Sequence, residues 1–414
     1  MKNNTHQIQA CEVCGNEHLS SVLDLGLHPM CDDLVAVGDT RSCREYPIEI
    51  LFCRNCNTAH QRFQVPKREL FPTNYHYRSR FTADVLNGMK GLVESVVQRY
   101  GSLKDKRVLD IGCNDGSLLD FFRVHGATTI GIEPTDACAD AQAKGHSTYN
   151  AFLSKELARR ALANHGSPDF ITFTNVFAHI ENLKEVIESL KILMSPTTVF
   201  VIENHYLGSV LDGNQFDTFY HEHPRTYSFT SFTHMARALG STPQQVEFPT
   251  RYGGNIRIFM GAENTAVPVS SVNLDTLQKR ENKFIDQFST LSKNIVVWRD
   301  TKKKFIENYV KAHGPMRAKA FPGRAAILVK LLGLSHLQIS AVYEKPGSLK
   351  IGHYLPGTRI PILSDEVLLA EPDQTQTVLN LAWHISSEIR KYLSAAGYRG
   401  DVVDILSADE FTEI

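Results

Sequence analysis

Residues 107–122 read RVLDIGCNDGSLLDFF, and this stretch decides the fold. The apolar run RVLDIG predicts a short buried strand, Gly112 and Gly116 punctuate a turn, and SLLDFF begins a helix. A second apolar strand, TTIGIEP, ends at Glu133, 23 residues after Asp110. This order is typical of an α/β domain that binds a nucleoside cofactor, because a carboxylate at that strand end can accept both ribose hydroxyls.

The glycine turn has the form D-x-G-x-x-x-G rather than G-x-G-x-x-G. It lacks the dense glycine cradle that lets a backbone approach a pyrophosphate, which argues against NAD. Asp110 at the head of the turn instead suits a cationic cofactor that carries an amino acid. The pattern resembles motif I of class I methyltransferases that use S-adenosylmethionine. The alternative is a chance glycine turn in another α/β protein.

Two further segments continue the strand alternation. PDFITFTNVFAHI predicts a strand that ends near Asn175, and TTVFVIENHYLGS predicts one that ends near Glu203. Ligands of open α/β sheets lie beyond the carboxyl ends of the strands, so Glu203 and His205 are also expected on the cofactor side. The predicted cofactor-binding residues are Asp110, Gly112, Asn114, Gly116, Glu133, Asn175 and His179.

Six of the eight cysteines fall within the first 56 residues. Residues 11–14 read CEVC and residues 53–56 read CRNC. Two such pairs supply four thiolates, so we predict a closed, structural Zn²⁺ site made of Cys11, Cys14, Cys53 and Cys56. A module this small buries little core, and a metal would supply much of its stability. The alternatives are redox pairs or unconnected cysteines; Cys31 and Cys43 stand outside the predicted set.

The composition excludes some classes of function. The 414 residues are 42% hydrophobic and 21% charged, and the formal net charge is −1. This balance creates no overall field that favours nucleic acid or an anionic membrane. The N-terminal residues contain no apolar run, and no stretch is long enough for a membrane span. We therefore expect a cytoplasmic protein of two or three domains with reduced cysteines, and neither a nucleic-acid nor a membrane partner.

Residues 216–228, FDTFYHEHPRTYS, place His221, Glu222 and His223 side by side. Three interpretations are open: an acid/base cluster, half of a metal site, or a solvated loop. Methyl transfer to carbon needs a base to remove a proton next to a carbonyl and polar groups to stabilise the enolate, which suits this cluster. Adjacent loop residues rarely point at one centre, so one histidine of the pair is expected to be structural.

The chain resembles, over essentially its whole length, the S-adenosylmethionine-dependent C-methyltransferases that act on nucleotide-linked 4-keto sugars in deoxysugar biosynthesis. The resemblance rests on the paired C-x-x-C motifs and on an ordered set of segments. These are YHYRS (75–79), DIGCNDGSLL (110–119), NVFAHIENL (175–183), QFDTFYHEHPRTYS (215–228), GGNIRIF (253–259) and LPGTRIPI (355–362).

The resemblance implies an α/β protein of three domains. These are a small zinc-binding domain (1–70), a Rossmann-like class I methyltransferase domain (71–265) and a C-terminal Rossmann-like α/β domain (266–414). It implies methylation at C3 of a dTDP- or GDP-linked 4-keto-6-deoxysugar through an enolate, with His223 as the general base. Glu222 would bind or polarise the sugar, Tyr220 would line the pocket, and Tyr75 or Tyr77 would lie at the active site. The alternative on the same fold is an O- or N-methyltransferase, and a non-enzymatic sugar-nucleotide binding protein is a further one.

Two features depart from the family pattern. Pro224-Arg225-Thr226 follows the triplet, and Arg225 is expected either to face the sugar or its phosphates or to form a surface ion pair. The C-terminal turn AFPGRAA carries one glycine, Gly323, so no second cofactor is assigned to it.

The resemblance also implies that the nucleotide of the substrate lies between the middle and C-terminal modules. Candidates for its phosphates are Arg324, Lys345 and Lys350, with solvated surface charges as the alternative, and Asn204, Tyr206 and His384 are further possible site residues.

Overall fold

The computed structural model describes residues 5–71, 77–261 and 273–411. The N-terminal module is built from short antiparallel strands and one helical turn. Its elements are β1 (His6–Gln7), β2 (Ser20–Pro29), β3 (Val35–Ala36), β4 (Glu45–Cys53), β5 (Thr58–Gln61), β6 (Phe63–Gln64) and α1 (Lys67–Leu70). Strand β4 pairs with β2 on one side and with β5 on the other. The turn between β4 and β5 therefore presents Cys53 and Cys56 together.

The central module is a seven-stranded sheet with helices on both faces. Its elements are α2 (Ala83–Tyr100), β7 (Arg107–Ile111), α3 (Ser117–Val124), β8 (Thr128–Ile132), α4 (Ala137–Ala143), β9 (Ser147–Tyr149), α5 (Lys155–His165), β10 (Phe170–Thr174), α6 (Leu183–Leu193), β11 (Val199–His205), α7 (Leu207–Asp212), β12 (Arg225–Thr226), α8 (Phe229–Ala238), β13 (Thr242–Glu247) and β14 (Asn255–Gly261). The strand order is β13-β14-β11-β10-β7-β8-β9, and β14 is antiparallel to both neighbours. This is the class I methyltransferase fold, as the glycine turn predicts.

The C-terminal module has a second α/β sheet. Its elements are α9 (Leu274–Glu281), α10 (Phe284–His313), β15 (Met316–Lys319), α11 (Ala325–Leu331), β16 (Ile339–Glu344), β17 (His353–Tyr354), β18 (Ile362–Ser364), α12 (Asp365–Ala370), β19 (Val378–Asn380), α13 (Ser386–Ala395) and β20 (Val402–Asp404). Five parallel strands pair in the order β18-β16-β15-β19-β20. The order reverses between β15 and β19, which creates a ligand crevice at the carboxyl ends of these strands.

Helix α10 packs this second sheet against the rest of the molecule. Its buried positions recur three or four residues apart from Phe284 to Ile306, so one face of the helix is buried over this stretch, and every buried side chain on it except Lys302 is apolar. Trp298 packs edge to face on Phe216, with the ring centroids 5.0 Å apart. Among the helices of the described residues, none has the length and apolar character needed to cross a membrane.

Two strand pairings join the modules directly. Strand β12, which follows the His-Glu-His triplet, pairs antiparallel with β5 of the N-terminal module, so Arg225 lies opposite His60. Strand β3 pairs with β17 of the C-terminal module. The loop that carries the triplet is thus part of the interface with the cysteine-rich module.

Candidate active site

A cleft of about 710 Å³ lies where the three modules meet. It opens beyond the carboxyl ends of β7, β8 and β10 on one side and of β15 and β16 on the other, which is where both sheets are expected to bind ligands. Its central-module lining includes Asp110, Gly112, Asn114, Glu133, Asn175, His179, His205, Tyr220, Glu222, His223 and Arg251. The C-terminal module adds Lys319 to Arg324, Glu344 to Lys350 and His384.

Gly112 is required by the close packing of its turn. Its φ is +76°, and a Cβ there would lie 2.4 Å from the Val176 side chain. The Gly112 amide donates to the Ile132 carbonyl at 2.7 Å, which ties the turn to β8. Gly116 also has a φ of +76° but packs against Ala141 and His146, and it does not line the cleft.

Glu133 and Asn114 are locked to each other. The Glu133 carboxylate accepts from the Asn114 amide at 3.0 Å and from the amide and hydroxyl of Thr135 at 2.9 and 2.6 Å. The Asn114 side chain donates to the Tyr77 carbonyl at 3.2 Å and accepts from the Ser79 amide at 3.0 Å. Asn114 therefore ties the segment after residue 76 to the glycine turn. Tyr77 lines the cleft, whereas Tyr75 lies outside the described residues.

Asp110 is a buried acid at the end of β7. Within the described chain its hydrogen-bond donor is the Thr172 hydroxyl, at 2.6 Å. Burial, with a further contribution from the nearby Glu133, raises the pKa of Asp110 to about 7. A positively charged ligand group beside this carboxylate would stabilise its ionised form. The amino group of S-adenosylmethionine carries such a charge.

Asn175 and His179 lie at the cleft, but the neighbouring Glu203 does not. Asn175 has a φ of +54°, and its amide donates to the Glu203 carbonyl at 2.7 Å. Glu203 is fully buried and pairs with Arg257 at 2.7 Å, so its expected position on the cofactor side is wrong. Two other possible site residues also face away: Asn204 is buried outside the cleft, and the Tyr206 hydroxyl donates to Glu281.

The side chains of the His-Glu-His triplet point in two directions, one toward the N-terminal module and two into the cleft. His221 is buried and its Nε2 donates to the Tyr46 carbonyl of the N-terminal module at 3.1 Å. Glu222 and His223 turn into the cleft, where both are less than one-tenth exposed. The solvated-loop interpretation is therefore wrong, and one histidine of the pair is structural, as expected. Among the described residues, the side chains that cluster as metal ligands are the four cysteines and not these histidines.

The imidazole of His223 is held in one tautomer. Its Nδ1 lies 3.0 Å from the Thr218 carbonyl. A carbonyl only accepts, so Nδ1 carries the proton and Nε2 keeps its lone pair. Burial, together with the neighbouring rings of His179 and His205, holds the pKa of His223 well below its usual value. The imidazole is therefore neutral at physiological pH.

Tyr220 and His179 both pack against the ring of His223. The ring centroids of Tyr220 and His179 lie 4.2 and 4.7 Å from that of His223. His179 Nδ1 donates to the Glu222 carbonyl at 2.7 Å, and desolvation lowers the pKa of His179 to about 4. Burial, with Glu222 nearby, raises the pKa of Tyr220 well above its usual value, so the phenol stays protonated.

Arg225 neither faces the cleft nor forms a surface pair, and both expectations for it are wrong. Its side chain is fully buried between modules. It binds Glu12, which lies between the first two cysteines, and its Nε donates to the Tyr227 hydroxyl at 3.0 Å. Strand pairing of β12 with β5 carries Arg225 into this interface. The cation next to the triplet thus joins the loop that carries the triplet to the cysteine-rich module.

Substituting Arg225 should destabilise the protein strongly. In Arg225→Met, Glu12 would keep its charge in a largely buried position without its partner, so we expect the free energy of unfolding to fall by about 3–5 kcal/mol. Urea unfolding measures this loss. The control is Arg41→Met, which removes an exposed pair with Asp33 and should cost at most about 1 kcal/mol. Equal losses in the two variants would contradict the buried role of Arg225.

The four predicted metal ligands converge. The sulfur atoms of Cys11, Cys14, Cys53 and Cys56 all lie within 4.8 Å of one another, and the Cys11–Cys56 and Cys14–Cys53 pairs are 3.4 and 3.6 Å apart. These separations fit four thiolates on one tetrahedral Zn²⁺. His60 Nε2 lies 3.3 Å from the Cys11 sulfur, an outer contact typical of zinc–thiolate sites.

The C-terminal candidates have different environments. Lys345 is exposed and Lys350 donates to the Phe321 carbonyl at 2.7 Å; both line the cleft, as does His384. Arg324 is only 7% exposed and binds Asp217 through two hydrogen bonds, so it is not a solvated surface charge. Sequence reasoning missed Cys31 and Arg251, which also line the cleft, because no local motif marks either residue.

Three family models match the chain in succession. A "Putative zinc binding domain" matches residues 11–71, a "Methyltransferase domain" matches residues 85–246, and a "C-methyltransferase C-terminal domain" matches residues 250–403. The chain is an S-adenosylmethionine-dependent methyltransferase. Its cofactors are S-adenosylmethionine and zinc, for which the cysteine quartet supplies four ligands.

This methyltransferase also resembles individual proteins. It is 27% identical over 398 residues to the C-methyltransferase NovU of Streptomyces niveus, across 94% of this chain and 93% of that protein. It is 29% identical over 105 residues to a ubiquinone biosynthesis O-methyltransferase of Vibrio parahaemolyticus, across 24% of this chain and 44% of that protein. The magnesium protoporphyrin IX methyltransferase of Synechocystis PCC 6803 with bound SAM superimposes with a TM-score of 0.33 at 15% identity, across 44% and 80% of the two chains. The predicted resemblance to C-methyltransferases with an N-terminal zinc-binding domain is confirmed.

Proposed function

We propose that this methyltransferase adds a methyl group to C3 of a nucleotide-diphosphate-linked 4-keto-6-deoxysugar, with His223 as the general base. The observation that carries the proposal is the orientation of His223, whose Nδ1 is bound to the Thr218 carbonyl so that Nε2 is the basic nitrogen at the cleft. The "C-methyltransferase" descriptions of NovU and of the C-terminal domain family support carbon as the acceptor.

The cofactor would lie against the ends of β7 and β8. Asp110 would face its amino group and Glu133 its ribose, while Gly112 and Asn114 shape the turn and Asn175 and His179 close the adjacent wall. When bound, S-adenosylmethionine supplies an electrophilic sulfonium methyl group, which is transferred to the substrate carbon and leaves S-adenosylhomocysteine. The protein's own task is then to make that carbon nucleophilic.

His223 would make the carbon nucleophilic by removing its proton. The C3–H bond is acidified by the C4 ketone, its proton passes to His223 Nε2, and the electron pair delocalises onto the C4 oxygen. Glu222 would bind the sugar beside this ketone, and the protonated phenol of Tyr220 is a donor next to the base.

The substrate's nucleotide would occupy the C-terminal side of the cleft. The carboxyl ends of β15 and β16 bring Lys345 and Lys350 to this wall, and two ammonium groups would favour a diphosphate, either dTDP or GDP. Tyr77 lines the same cleft. We retain Tyr77, together with Tyr75 outside the described residues, as candidate sugar contacts.

The affinity for S-adenosylmethionine should rise with pH through about 7. Above its pKa of about 7, ionised Asp110 attracts the amino group, and below it the neutral acid does not. The dissociation constant should therefore fall from about pH 6 to about pH 8, by at most about tenfold per unit for one proton. Calorimetry on wild type and Asp110→Asn measures the dissociation constant at each pH. Asp110→Asn should bind S-adenosylmethionine weakly, and its dissociation constant should no longer change with pH through the ionisation of this residue. An unchanged slope in the variant would contradict the assignment.

The proposed reaction is tested by mass spectrometry of the protein with S-adenosylmethionine and a panel of dTDP- and GDP-linked 4-keto-6-deoxysugars, with a C3 hydroxyl or amine and with or without the C2 hydroxyl. We expect a gain of one methylene mass that survives mild acid hydrolysis into the free sugar, with loss of the C3 proton signal in NMR. A methyl group found on oxygen or nitrogen would instead identify an O- or N-methyltransferase.

A further inference from the structure

Asp217, in the loop that leads to the triplet, is held by the C-terminal module. It lies in a 3₁₀ turn, Phe216–Thr218, and is completely buried. Arg324 binds it through both carboxylate oxygens, from Nε at 2.8 Å and from Nη2 at 2.6 Å. Trp383 Nε1 donates to the same carboxylate at 2.9 Å. Three donors from two C-terminal segments therefore fix one side chain of the central module.

The residue after Asp217 contacts the base. The carbonyl of Thr218 accepts the hydrogen bond from His223 Nδ1, and the carbonyl of the next residue, Phe219, accepts from Gln61 Nε2 at 3.0 Å. The loop is thus held on both sides of residue 218: the Asp217 side chain by the C-terminal module and the Phe219 carbonyl by the N-terminal sheet. A rotation of the peptide at 218 would remove the acceptor that selects the Nδ1–H tautomer.

We propose that Arg324 and Asp217 are positioning residues: their ion pair fixes the Thr218 carbonyl and thereby the orientation and tautomer of His223. The inference rests on the proposed function, in which His223 is the base. It connects the module on the nucleotide side of the cleft to the proton-transfer step, because Arg324 follows β15 and also lines the cleft. Asp217 does not line the cleft, so its effect cannot come from substrate contact.

The geometry favours a role of this ion pair in positioning His223 over a role that only holds the two modules together. The planar guanidinium makes two parallel bonds, which restrict direction as well as distance. Its carbon lies 5.2 Å from the Trp383 ring centre, so the cation is also fixed by its stacking neighbour. Displacement of a catalytic group by about 1 Å is enough to cost about 100-fold in rate. A pair that adjoins the acceptor of His223 can therefore act on turnover without touching the substrate.

The test uses the double variant Asp217→Leu/Arg324→Met in the full-length protein. Replacing both members of a buried pair by apolar groups usually preserves folding, whereas removing one leaves an unpaired charge. We expect kcat to fall by about 10- to 100-fold while the thermal midpoint stays close to that of wild type. In ¹⁵N-histidine spectra, the His223 signals should lose the neutral Nδ1–H pattern of a single tautomer. Arg324→Lys keeps the charge but not the fork and should give a smaller decrease in kcat.

A matched control is Arg317→Met/Glu371→Leu. This pair has a buried arginine in the same module but no contact with the loop, so kcat and the His223 spectrum should stay unchanged. Wild-type kcat and tautomer in the folded double variant, or in Arg324→Lys if the double variant does not fold, would overturn the inference. A rise in KM alone would also overturn it, since that marks substrate contact. His223→Asn is measured in parallel: full activity there would overturn the proposed function instead.

Discussion

Replacing His223 with asparagine should lower kcat for carbon methylation by about 10²- to 10⁴-fold, the contribution typical of a positioned general base. Asparagine keeps a polar side chain near the Thr218 carbonyl but supplies no basic nitrogen. The S-adenosylmethionine dissociation constant should change little, because the turn proposed to hold the cofactor is formed by Gly112 and Asn114 and not by His223. Single-turnover assays with saturating cofactor measure the effect.

The matched control is the same substitution two residues earlier. His221→Asn removes a hydrogen bond to the Tyr46 carbonyl and should cost stability, but it leaves the base in place. Its kcat should therefore remain close to that of wild type. Full activity of His223→Asn would refute the proposed role, and equal losses in both variants would mean that the substitution acts through the fold of the loop.

Removing zinc should destabilise both the N-terminal module and the loop that carries the His-Glu-His triplet. Cys53→Ser deletes one of four thiolates at the end of β4, and structural zinc contributes on the order of 10 kcal/mol to small modules. The loop depends on that module through β12–β5 pairing, through Gln61, and through the pair of Glu12 with Arg225. We expect loss of bound zinc, a lower thermal midpoint and little methyl transfer.

Metal analysis and hydrogen exchange distinguish this account from a remote structural effect. Peptides covering residues 218–226 should lose protection together with β5, because the two strands exchange backbone hydrogen bonds. Cys43→Ser is the control, since this half-buried thiol lies outside the quartet and donates to the Asp33 carbonyl. Zinc loss in Cys53→Ser with unchanged protection of residues 218–226 and unchanged activity would contradict the coupling.

Short-range patterns predicted the parts of the structure that local chemistry decides. RVLDIGCNDGSLL predicts β7, the turn and α3 because glycine is needed where φ is positive and the strand is buried on both faces. The two C-x-x-C motifs predict the metal quartet because each pair lies on one tight turn. The triplet also indicated that one histidine would be structural, although the sequence could not say which one.

The sequence could not predict the positions of side chains that depend on contacts between residues far apart in the chain. Arg225 looked like a loop cation, but β12 pairs with a strand 165 residues earlier and buries it against Glu12. Glu203 follows the same β-strand rule as Asn175, yet Arg257 on the neighbouring antiparallel strand pairs with it inside the molecule. Asp217 carries no motif, and its relation to Arg324 exists only because the C-terminal sheet folds back onto the loop.

The most direct test of the central claim is solvent deuterium exchange at C3 of the keto sugar, measured by NMR with wild-type protein and S-adenosylhomocysteine but without a methyl donor. The account predicts exchange at C3 that depends on enzyme and is lost in His223→Asn, because the base removes this proton before any carbon–carbon bond forms. Methylation of the same substrate on oxygen or nitrogen without C3 exchange, or exchange that persists unchanged in His223→Asn, would contradict it.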